Sequence, residues 1–236
     1  MPPAANDTPH PTHQAVNTAV IVATHAYCYP LERCLAGFAA QTDRPSDVIL
    51  VDNGSGGVVA RWAREHAPTI STVVRETNGF FCGGYNAGLR AALDRGYEFA
   101  LIVNADTEPC NPQLLVDLKA AAGRHPRAAF VGPKVFLRTE GNVQNTVYDF
   151  PTFLRHAWGF VVCKLLGGAP PRSDNREREV DFLNGVCVLC RLDALREVGL
   201  LDETMGGYME DGDWAWRAKQ CGWTSVYAPV PSIIHH

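Results

Sequence analysis

The 236-residue sequence predicts an α/β domain built on a mostly parallel sheet with helices on both faces. Two observations lead to this fold class. Short uninterrupted runs of Val, Ile, Leu and Ala, typical of strands buried on both faces, alternate with segments of helical periodicity. Polar residues follow these runs, as they do where loops leave the carboxyl edge of a parallel sheet. Right-handed crossovers between such strands give a doubly wound layer.

The first half of the chain alternates predicted strands and predicted helices. The predicted strands are Ala19–Thr24, Val48–Val51, Ile70–Val74, Phe99–Val103 and Ala128–Val131. The predicted helices are Leu31–Ala40, Val58–His66, Gly84–Arg95 and Gln113–Gly123.

The second half is less regular and predicts a smaller, mixed C-terminal sheet. Its predicted strands are Val180–Cys190, Ser225–Ala228 and Ser232–His235, and its predicted helices are Asp193–Val198 and Glu210–Cys221. The apolar stretch Trp158–Leu166 favours a packed core helix, with a membrane surface or an acceptor cleft as the alternatives. Gly167–Glu179 is rich in Pro, Gly and charge and predicts a mobile loop.

Composition excludes several classes of protein. The net charge of −4 gives no basic surface for a nucleic acid. No apolar run is long enough to cross a bilayer, so any membrane contact is expected to be peripheral. Residues 1–17 lack the basic start and apolar core of a signal peptide and are expected to form a disordered leader.

The eight cysteines are expected to be reduced thiols of a cytoplasmic protein. Most lie in apolar segments, where a thiol packs as a small hydrophobic group. Cys187 and Cys190 have C-x-x-C spacing but lie in a predicted strand. Strand geometry would point their thiols to opposite faces of the sheet, which argues against a shared metal or disulfide.

Two acidic motifs predict an enzyme that acts on a phosphorylated donor. Tyr208–Arg217 contains three carboxylates at the start of a predicted helix, and Asn104-Ala105-Asp106 ends a buried strand. Carboxylates also stabilise helix starts through the helix dipole, so the first motif alone would not indicate catalysis. Together the motifs suit a general base and a metal ligand.

Polar residues follow four predicted strands and should lie along one edge of the sheet. They are Thr24-His25, Asp52-Asn53-Gly54-Ser55, Asn78-Gly79 and Asn104-Ala105-Asp106. Turn formation and helix capping explain Asn53-Gly54-Ser55 well. They explain less well the carboxylates at the strand ends, which favour a ligand site.

These motifs, in this order, resemble the family 2 glycosyltransferases with a GT-A fold, particularly the rhamnosyltransferase-like branch. The resemblance covers nearly the whole chain after the leader. It is carried by Val22–His25, Val51–Ser55, Asn78–Gly88, Val103–Asp106, Asn184-Gly185 with Arg191, and Glu210–Asp213.

The resemblance implies that residues 18–133 bind a dTDP- or UDP-sugar. Asp52 would accept a hydrogen bond from the N3–H of a thymine or uracil ring. Thr24 and His25 would frame the nucleoside, although Ala23-Thr24-His25-Ala26 replaces the family's usual Pro-Thr-Tyr-Asn. The complete implied donor set is Thr24, His25, Asp52, Asn78, Gly83, Asn86, Asn104 and Ala105.

The resemblance also implies a divalent cation, Mg²⁺ or Mn²⁺, bridging the donor diphosphate. Asp106 would be one ligand. Asn104 stands where Asp-x-Asp motifs have a second carboxylate, so a further ligand is expected elsewhere. His235, with His236 as the alternative, occupies the late position that the family uses. An imidazole ligand favours Mn²⁺ somewhat.

Residues 134–236 are expected to bind the acceptor and to carry the catalytic base. The resemblance, rather than any spacing, assigns Asp211 as the base and Glu210 as an orienting carboxylate. Asn184, Gly185 and Asp213 are the implied acceptor residues, and Asp213 is also one helical turn from Arg217. The predicted activity is inverting transfer of a sugar to a saccharide or lipid-linked saccharide. The first candidate for the transferred sugar is rhamnose, with dTDP-rhamnose as its donor.

Three alternatives belong to other classes. A sugar-phosphate nucleotidyltransferase would need a basic, Gly-rich loop after the first strand, and residues 24–29 lack one. A dinucleotide-dependent oxidoreductase would need G-x-G-x-x-G there. A catalytically degenerate sugar-binding module stays open, because Asn104 replaces a carboxylate.

Overall fold

A computed structural model describes residues 17–27, 29–45, 47–138, 141–151, 175–205 and 207–236. The predicted leader up to residue 16, the predicted helix Trp158–Leu166 and most of the predicted loop Gly167–Glu179 lie outside these ranges.

The described chain alternates strands and helices in its first half and forms shorter elements in its second. The strands are β1 Thr18–Thr24, β2 Asp47–Asn53, β3 Ser71–Arg75, β4 Phe99–Asn104, β5 Thr107–Pro109, β6 Ala128–Leu137, β7 Val143–Gln144, β8 Val147–Tyr148, β9 Arg178–Val180, β10 Phe182–Leu183, β11 Cys187–Arg191 and β12 Thr224–His235. The helices are α1 Tyr29–Ala39, α2 Val58–His66, α3 Phe80–Asp94, α4 Leu114–Arg124, α5 Leu192–Val198 and α6 Glu210–Gln220, with a 3₁₀ turn at Glu203–Met205.

One large mixed sheet organises the fold. Its strand order is β3-β2-β1-β4-β11-β6-β12-β5, with β7 added beside β6 and β9 beside β12. Strands β1 to β4 pair in parallel, β11 runs antiparallel to β4 and β6, and β12 runs parallel to β6. β8 and β10 form a separate two-stranded antiparallel sheet. The late strands thus mostly extend the main sheet, and the α/β prediction is confirmed.

Helices cover both faces of the sheet, as predicted. Strand side chains alternate between two apolar cores. One core receives α1, α2 and α4 through residues such as Leu31 and Leu118. The other receives α3, α5 and α6 through residues such as Leu89 and Trp214. Cys187 lies in the first core and Cys190 in the second, so the predicted divergence of the two thiols is confirmed.

Several predicted boundaries in the second half are wrong. The predicted strand Val180–Cys190 is divided among β9, β10 and β11. The two predicted final strands are one strand, β12, whose pairing with β6 shifts register on both sides of Pro231. Within the predicted loop Gly167–Glu179, Arg178 already belongs to β9.

The described residues contain no helix that is long and apolar enough to cross a membrane.

Candidate active site

The loops that follow β1, β2, β3 and β4 meet at the carboxyl edge of the sheet, as expected for an open α/β sheet. They enclose a cleft of about 510 Å³, here named the β1–β4 cleft. Its lining residues are Ala23, Thr24, His25, Ala26, Asn53, Asn78, Phe80, Phe81, Tyr85, Asn104, Ala105 and Asp106. Six of the predicted site residues are therefore brought together here: Thr24, His25, Asn78, Asn104, Ala105 and Asp106.

Asp52 does not reach this cleft, which corrects its predicted position. Its side chain is fully buried. One carboxylate oxygen accepts the backbone N–H of Ser55 at 2.9 Å and the other accepts that of Ala60 at 3.1 Å. Asp52 therefore stabilises the turn and the first turn of α2 rather than facing a nucleobase. The neighbouring Asn53 faces the cleft instead.

Asn53 fixes the entry to α3. Its amide donates to the backbone carbonyl of Phe80 at 2.8 Å and to the Asn78 side-chain oxygen at 3.2 Å, and its own oxygen accepts the N–H of Gly79 at 3.1 Å. The amide therefore ties the loop after β3 to the end of β2. A Cβ at Gly84 would lie 2.8 Å from this amide, so the close approach requires glycine.

Gly83 and Asn86 also lie outside the cleft lining. Asn86 is buried, and its amide donates to the carbonyl of Leu201 while its oxygen accepts the N–H of Leu201. It donates as well to Glu203 at 3.0 Å. A Cβ at Gly83 would lie within 3.4 Å of Arg75 and Glu203. Asn86 thus joins α3 to the segment that precedes α6, while Gly83 lies close against Arg75 and Glu203, so neither of these two predicted donor contacts is found in the cleft lining.

Asp106 and His235 form the pair that the sequence predicted as metal ligands. β12 pairs with β5, and this pairing brings Nε2 of His235 to 3.3 Å from a carboxylate oxygen of Asp106. Partial burial alone would raise the pKa of Asp106. The hydrogen bond and charge of His235, with the charge of His236, outweigh it and lower that pKa below its ordinary value. Asp106 is thus an anionic carboxylate at neutral pH.

Gln144 orients the imidazole of His235. Its side-chain oxygen lies 2.9 Å from Nδ1, and because an amide oxygen only accepts, Nδ1 carries the proton. Nε2 faces the carboxylate of Asp106 at 3.3 Å, so a cation bound between the two groups would take the place of the hydrogen bond that joins them here. The donor set fits Mg²⁺ or Mn²⁺. No group of three or more such ligands occurs within the described ranges, so substrate oxygens and water would complete the shell.

A second cleft, of about 580 Å³, opens beside the first and is here named the α6 cleft. Its lining residues are Phe81, Asn104, Gln144, Tyr148, Phe182, Asn184, Gly185, Val186, Gly207, Tyr208, Met209, Glu210, Asp211 and His235. Phe81 and Asn104 line both clefts. Asp106 faces the first cleft and His235 the second, so this pair lies where the two meet.

Asp211 is held at the first turn of α6. Its carboxylate accepts the N–H of Gly212 at 2.9 Å and that of Gly185 at 3.3 Å. Burial raises its pKa to about 6, and the negative charge of Glu210 adds to the effect, while the two amides oppose it. A carboxylate with such a pKa is ionised near neutral pH and is still basic enough to accept a proton from a hydroxyl group.

Glu210 is nearly buried, with 7% of its surface exposed, and it lines the α6 cleft. Its Oε2 atom has no hydrogen-bond partner among the described residues. Leaving a buried carboxylate oxygen unpaired is costly, and this cost falls on the residue next to Asp211 in the same cleft.

The structure does not bring the three predicted acceptor residues together. Asn184 and Gly185 line the α6 cleft, whereas Asp213 does not. Asp213 accepts the guanidinium of Arg217 at 2.8 Å, and Arg217 also donates to the carbonyls of Val198 and Leu200. Asp213 thus fixes the loop after α5. The sequence anticipated the pair with Arg217 but not that it turns Asp213 away from the cleft.

Sequence reasoning missed several lining residues, notably Phe81, Tyr85 and Gln144. The hydroxyl of Tyr85 donates to the carbonyl of Val103 at 2.8 Å, and its ring packs 4.5 Å from that of Phe81. Their place inside the Asn78–Gly88 motif was the available signal. Gln144 lies on a two-residue strand in an irregular region, and no local pattern marks it.

A family model described as "Glycosyltransferase like family 2" matches residues 14–236. The chain is 30% identical over 232 residues to an N-acetylglucosaminyl-diphospho-decaprenol L-rhamnosyltransferase of Mycobacterium tuberculosis, covering 92% of this chain and 75% of the relative. It is 22% identical over 209 residues to the low-salt glycan biosynthesis hexosyltransferase Agl10 of Haloferax volcanii, covering 88% of this chain and 64% of that protein.

Solved structures share the fold. The crystal structure of GalNAc-T7 with UDP, GalNAc and Mn²⁺ superposes with a TM-score of 0.71 at 12% identity over 94% of this chain and 44% of that one. The structure of S. aureus TarS 1-349 gives 0.62 at 16% identity over 93% and 60%. The chain thus spans less than two thirds of either structure, and the likeness establishes a GT-A fold. With the family match over almost the whole sequence, the chain belongs to the family 2-like glycosyltransferases and is a glycosyltransferase.

Proposed function

We propose that this protein is an inverting, divalent-metal-dependent hexosyltransferase. Its first candidate donor is dTDP-rhamnose, its second a UDP-hexose, and its acceptor is a saccharide or lipid-linked saccharide. One observation carries the proposal. The β1–β4 cleft and the α6 cleft share Asn104 and Phe81, the Asp106–His235 pair lies at their junction, and a carboxylate with a raised pKa lies in the α6 cleft.

Asp211 acts as the general base. It accepts the proton of an acceptor hydroxyl while that oxygen forms a bond to the anomeric carbon of the donor sugar. The bond from that carbon to the diphosphate oxygen breaks, and the nucleoside diphosphate departs with the electron pair. Attack from the face opposite the leaving group inverts the anomeric centre.

Asp106 and His235 would hold the cation at the junction of the clefts. A bound divalent cation stabilises the negative charge that develops on the departing diphosphate. Gln144 keeps the imidazole in the tautomer that offers Nε2, as metal-binding histidines commonly require of a neighbouring group.

Donor recognition belongs to the β1–β4 cleft. Thr24, His25 and Asn78 place hydrogen-bonding groups around it, and the side chain of Phe80 is 65% exposed at its edge. An exposed aromatic ring beside amide groups suits a pyrimidine nucleoside, which needs both stacking and paired donors and acceptors.

The names of the relatives support the choice of substrates. The mycobacterial relative is named as an L-rhamnosyltransferase that acts on a diphosphodecaprenol-linked N-acetylglucosamine, and the Haloferax relative as a hexosyltransferase. We therefore place dTDP-rhamnose first among the donors and lipid-linked N-acetylglucosamine first among the acceptors.

Donor hydrolysis tests the proposal without an acceptor. The purified protein is incubated with dTDP-rhamnose and with common UDP- and GDP-sugars, in Mg²⁺, Mn²⁺ or EDTA, and release of nucleoside diphosphate is measured. Metal-dependent release from one donor supports the class and identifies that donor. Absence of release from every donor, by folded protein that still binds dTDP or UDP, would contradict catalysis and favour a sugar-nucleotide-binding module.

A further inference from the structure

The α6 cleft contains an aromatic ring that is exposed and held rigidly. Tyr148 lies on β8, lines the cleft and keeps 37% of its surface exposed. Its ring stacks on Phe182 at 5.3 Å between centroids and 18° between planes, and its hydroxyl donates to the backbone carbonyl of Asn145 at 3.1 Å. Both ends of the side chain are therefore fixed.

The support beneath Tyr148 is a column of aromatic rings. Phe182 stacks on Phe150 at 5.8 Å, and Phe150 meets Trp216 edge to face at 5.1 Å. Phe182 and Phe150 are 5% and 7% exposed, so the buried rings serve the core while Tyr148 continues the column into the cleft. Simple core packing accounts for the two buried rings but not for the exposed one.

The column of aromatic rings also contacts the first turn of α6. A Cβ placed on Gly212 would lie 3.6 Å from the ring of Phe182, and Gly212 directly follows Asp211. The ring beneath Tyr148 thus packs against the first turn of α6, which carries the proposed base. A molecule lying on Tyr148 would have its position set relative to Asp211 by this contact.

Polar groups lie among the apolar residues of the cleft lining, and one of them has no partner within the described ranges. Asn184, Gln144 and Asn104 contribute amide groups, and Glu210 contributes a carboxylate whose Oε2 atom has no partner among the described residues. A ligand for such a lining needs one apolar face and several hydroxyl donors. A hexopyranose has both, because its axial C–H bonds form an apolar face and its hydroxyls project from the edge.

We propose that Tyr148 is the platform of an acceptor subsite on which a hexopyranose ring stacks, with the ring hydroxyls turned toward Asn184 and Glu210 of the same lining. This deepens the proposed function, on which it rests, since it defines the acceptor as a saccharide whose recognised unit is a pyranose with an unobstructed C–H face. The lipid, where there is one, is then not the group recognised at this subsite. A rigid aromatic ring binds such a face at little cost in side-chain entropy.

The test compares wild type with Tyr148→Phe and Tyr148→Leu. Phe keeps the ring and loses the bond to Asn145, whereas Leu keeps an apolar side chain and loses the ring. Methyl glycosides of N-acetylglucosamine and of glucose, both in the β configuration, are titrated by saturation-transfer difference NMR. Circular dichroism and thermal unfolding verify that each variant is folded.

We expect wild type and Tyr148→Phe to bind a glycoside with similar Kd, and the signal to be strongest at H1, H3 and H5, which share one ring face. Tyr148→Leu should bind about fivefold more weakly, the scale of a single stacking contact. Equal binding by Tyr148→Leu, or no binding of either glycoside by folded wild type, would overturn the platform.

Donor hydrolysis by the same wild-type preparation separates this proposal from the proposed function. Release of nucleoside diphosphate without glycoside binding would overturn the platform and leave the transferase proposal standing. Ring-dependent glycoside binding without any donor hydrolysis would support the platform and contradict the proposed activity.

Discussion

The β1–β4 cleft and the α6 cleft adjoin, but they are built differently. Loops from regular parallel strands form the first, and its polar side chains are largely engaged with the backbone, as Asn53 and Asn78 are. Short strands and a turn in which Tyr208 and Met209 have positive φ form the second. There one oxygen of Glu210 has no partner within the part of the chain that the structure describes, and Asp211 has a raised pKa.

We interpret this difference as a division of roles, in which the β1–β4 cleft positions a ligand and the α6 cleft carries the reactive carboxylates. Satisfied polar groups on a regular scaffold hold a ligand in one geometry and respond little to pH. Unpaired or partly desolvated carboxylates store an unfavourable interaction that a substrate relieves. Non-glycine residues with positive φ cost energy, of order 1–3 kcal/mol each, and they occur in both clefts: Phe80 lines the first, and Tyr208 and Met209 line the second.

The strongest test of the comparison is Asp211→Asn. Removing the base from the α6 cleft should lower the rate of sugar transfer by about 10²–10⁴-fold, because proton acceptance is lost while the size and shape of the side chain are kept. Steady-state transfer to an acceptor measures this. Asp213→Asn is the matched control, since it changes the same group two positions away but outside the cleft. Near-normal turnover by Asp211→Asn would exclude its role as base.

Asp106→Asn tests the junction of the two clefts. We expect Mn²⁺ binding in the presence of dTDP or UDP to weaken about tenfold or more, since a neutral amide replaces the anionic ligand, and donor hydrolysis to fall with it. Electron paramagnetic resonance of Mn²⁺ measures binding directly. Glu108→Gln, a nearby carboxylate paired with Arg33 and His236, serves as the control. Unchanged Mn²⁺ affinity in Asp106→Asn would contradict its role as a ligand.

Gly88→Ala tests how tightly the scaffold of the β1–β4 cleft is packed. A Cβ at Gly88 would lie 2.3 Å from Cγ2 of Ile21, on buried strand β1, so the substitution should lower the free energy of unfolding by about 3 kcal/mol. Gly123→Ala, in α4 with nothing within 4 Å, should instead be neutral or raise it by about 0.5–1 kcal/mol. Urea unfolding measures both, and equal effects would contradict the packing argument.

The sequence predicted the first half better than the second for a physical reason. Strands β1, β2 and β4 are buried on both faces, so their apolar runs were visible locally, although such runs do not reveal which face each side chain takes. For that reason Asp52 was predicted at the cleft and Asn53 was found there. β5 was missed because it is three residues long and includes Pro109.

The contacts that sequence reasoning did not predict depend on pairing between strands that are far apart in the chain. β11 lies between β4 and β6, and Gln144 reaches His235 only because β6 pairs with both β7 and β12. Asn86 was predicted as a donor ligand because the resemblance to family 2 glycosyltransferases implied it. Its partners, Leu201 and Glu203, are more than one hundred positions away in the sequence. By contrast, Asp106, His235 and Asp211 were identified from the family motifs and lie together at the two clefts.

Sugar transfer, which needs the α6 cleft, should depend on pH more strongly than donor binding in the β1–β4 cleft does. Asp211 must be ionised to accept a proton, and its pKa is raised to about 6. The value of kcat/KM should therefore be level near pH 7.5 and fall about tenfold for each unit below pH 6. Donor binding to the β1–β4 cleft, measured with dTDP or UDP in the absence of metal, should change much less. A profile level down to pH 4.5 would contradict the assignment.

The same raised pKa has a smaller effect on stability. Folded Asp211 holds its proton more strongly than the unfolded chain does, so its contribution to stability is fully present below about pH 3.8 and is lost as pH rises through about 6. Asp211→Asn should then unfold with a free energy on the order of 1 kcal/mol higher than wild type at pH 7.5, with no difference near pH 3. Denaturant titrations at both pH values test this, and a loss of stability at pH 7.5 would contradict it.

The register shifts around Pro231 make the length of β12 a constraint on sequence change. Side chains alternate along a strand, and His235 follows these irregularities before it reaches Asp106. Inserting or deleting one residue between Pro231 and His235 would turn the imidazole of His235 to the other face of the sheet. This would happen even if every other amino acid in the strand were unchanged. Point substitutions at neighbouring positions leave that alternation intact. A protein redesigned for another sugar must therefore keep the residue count of this strand.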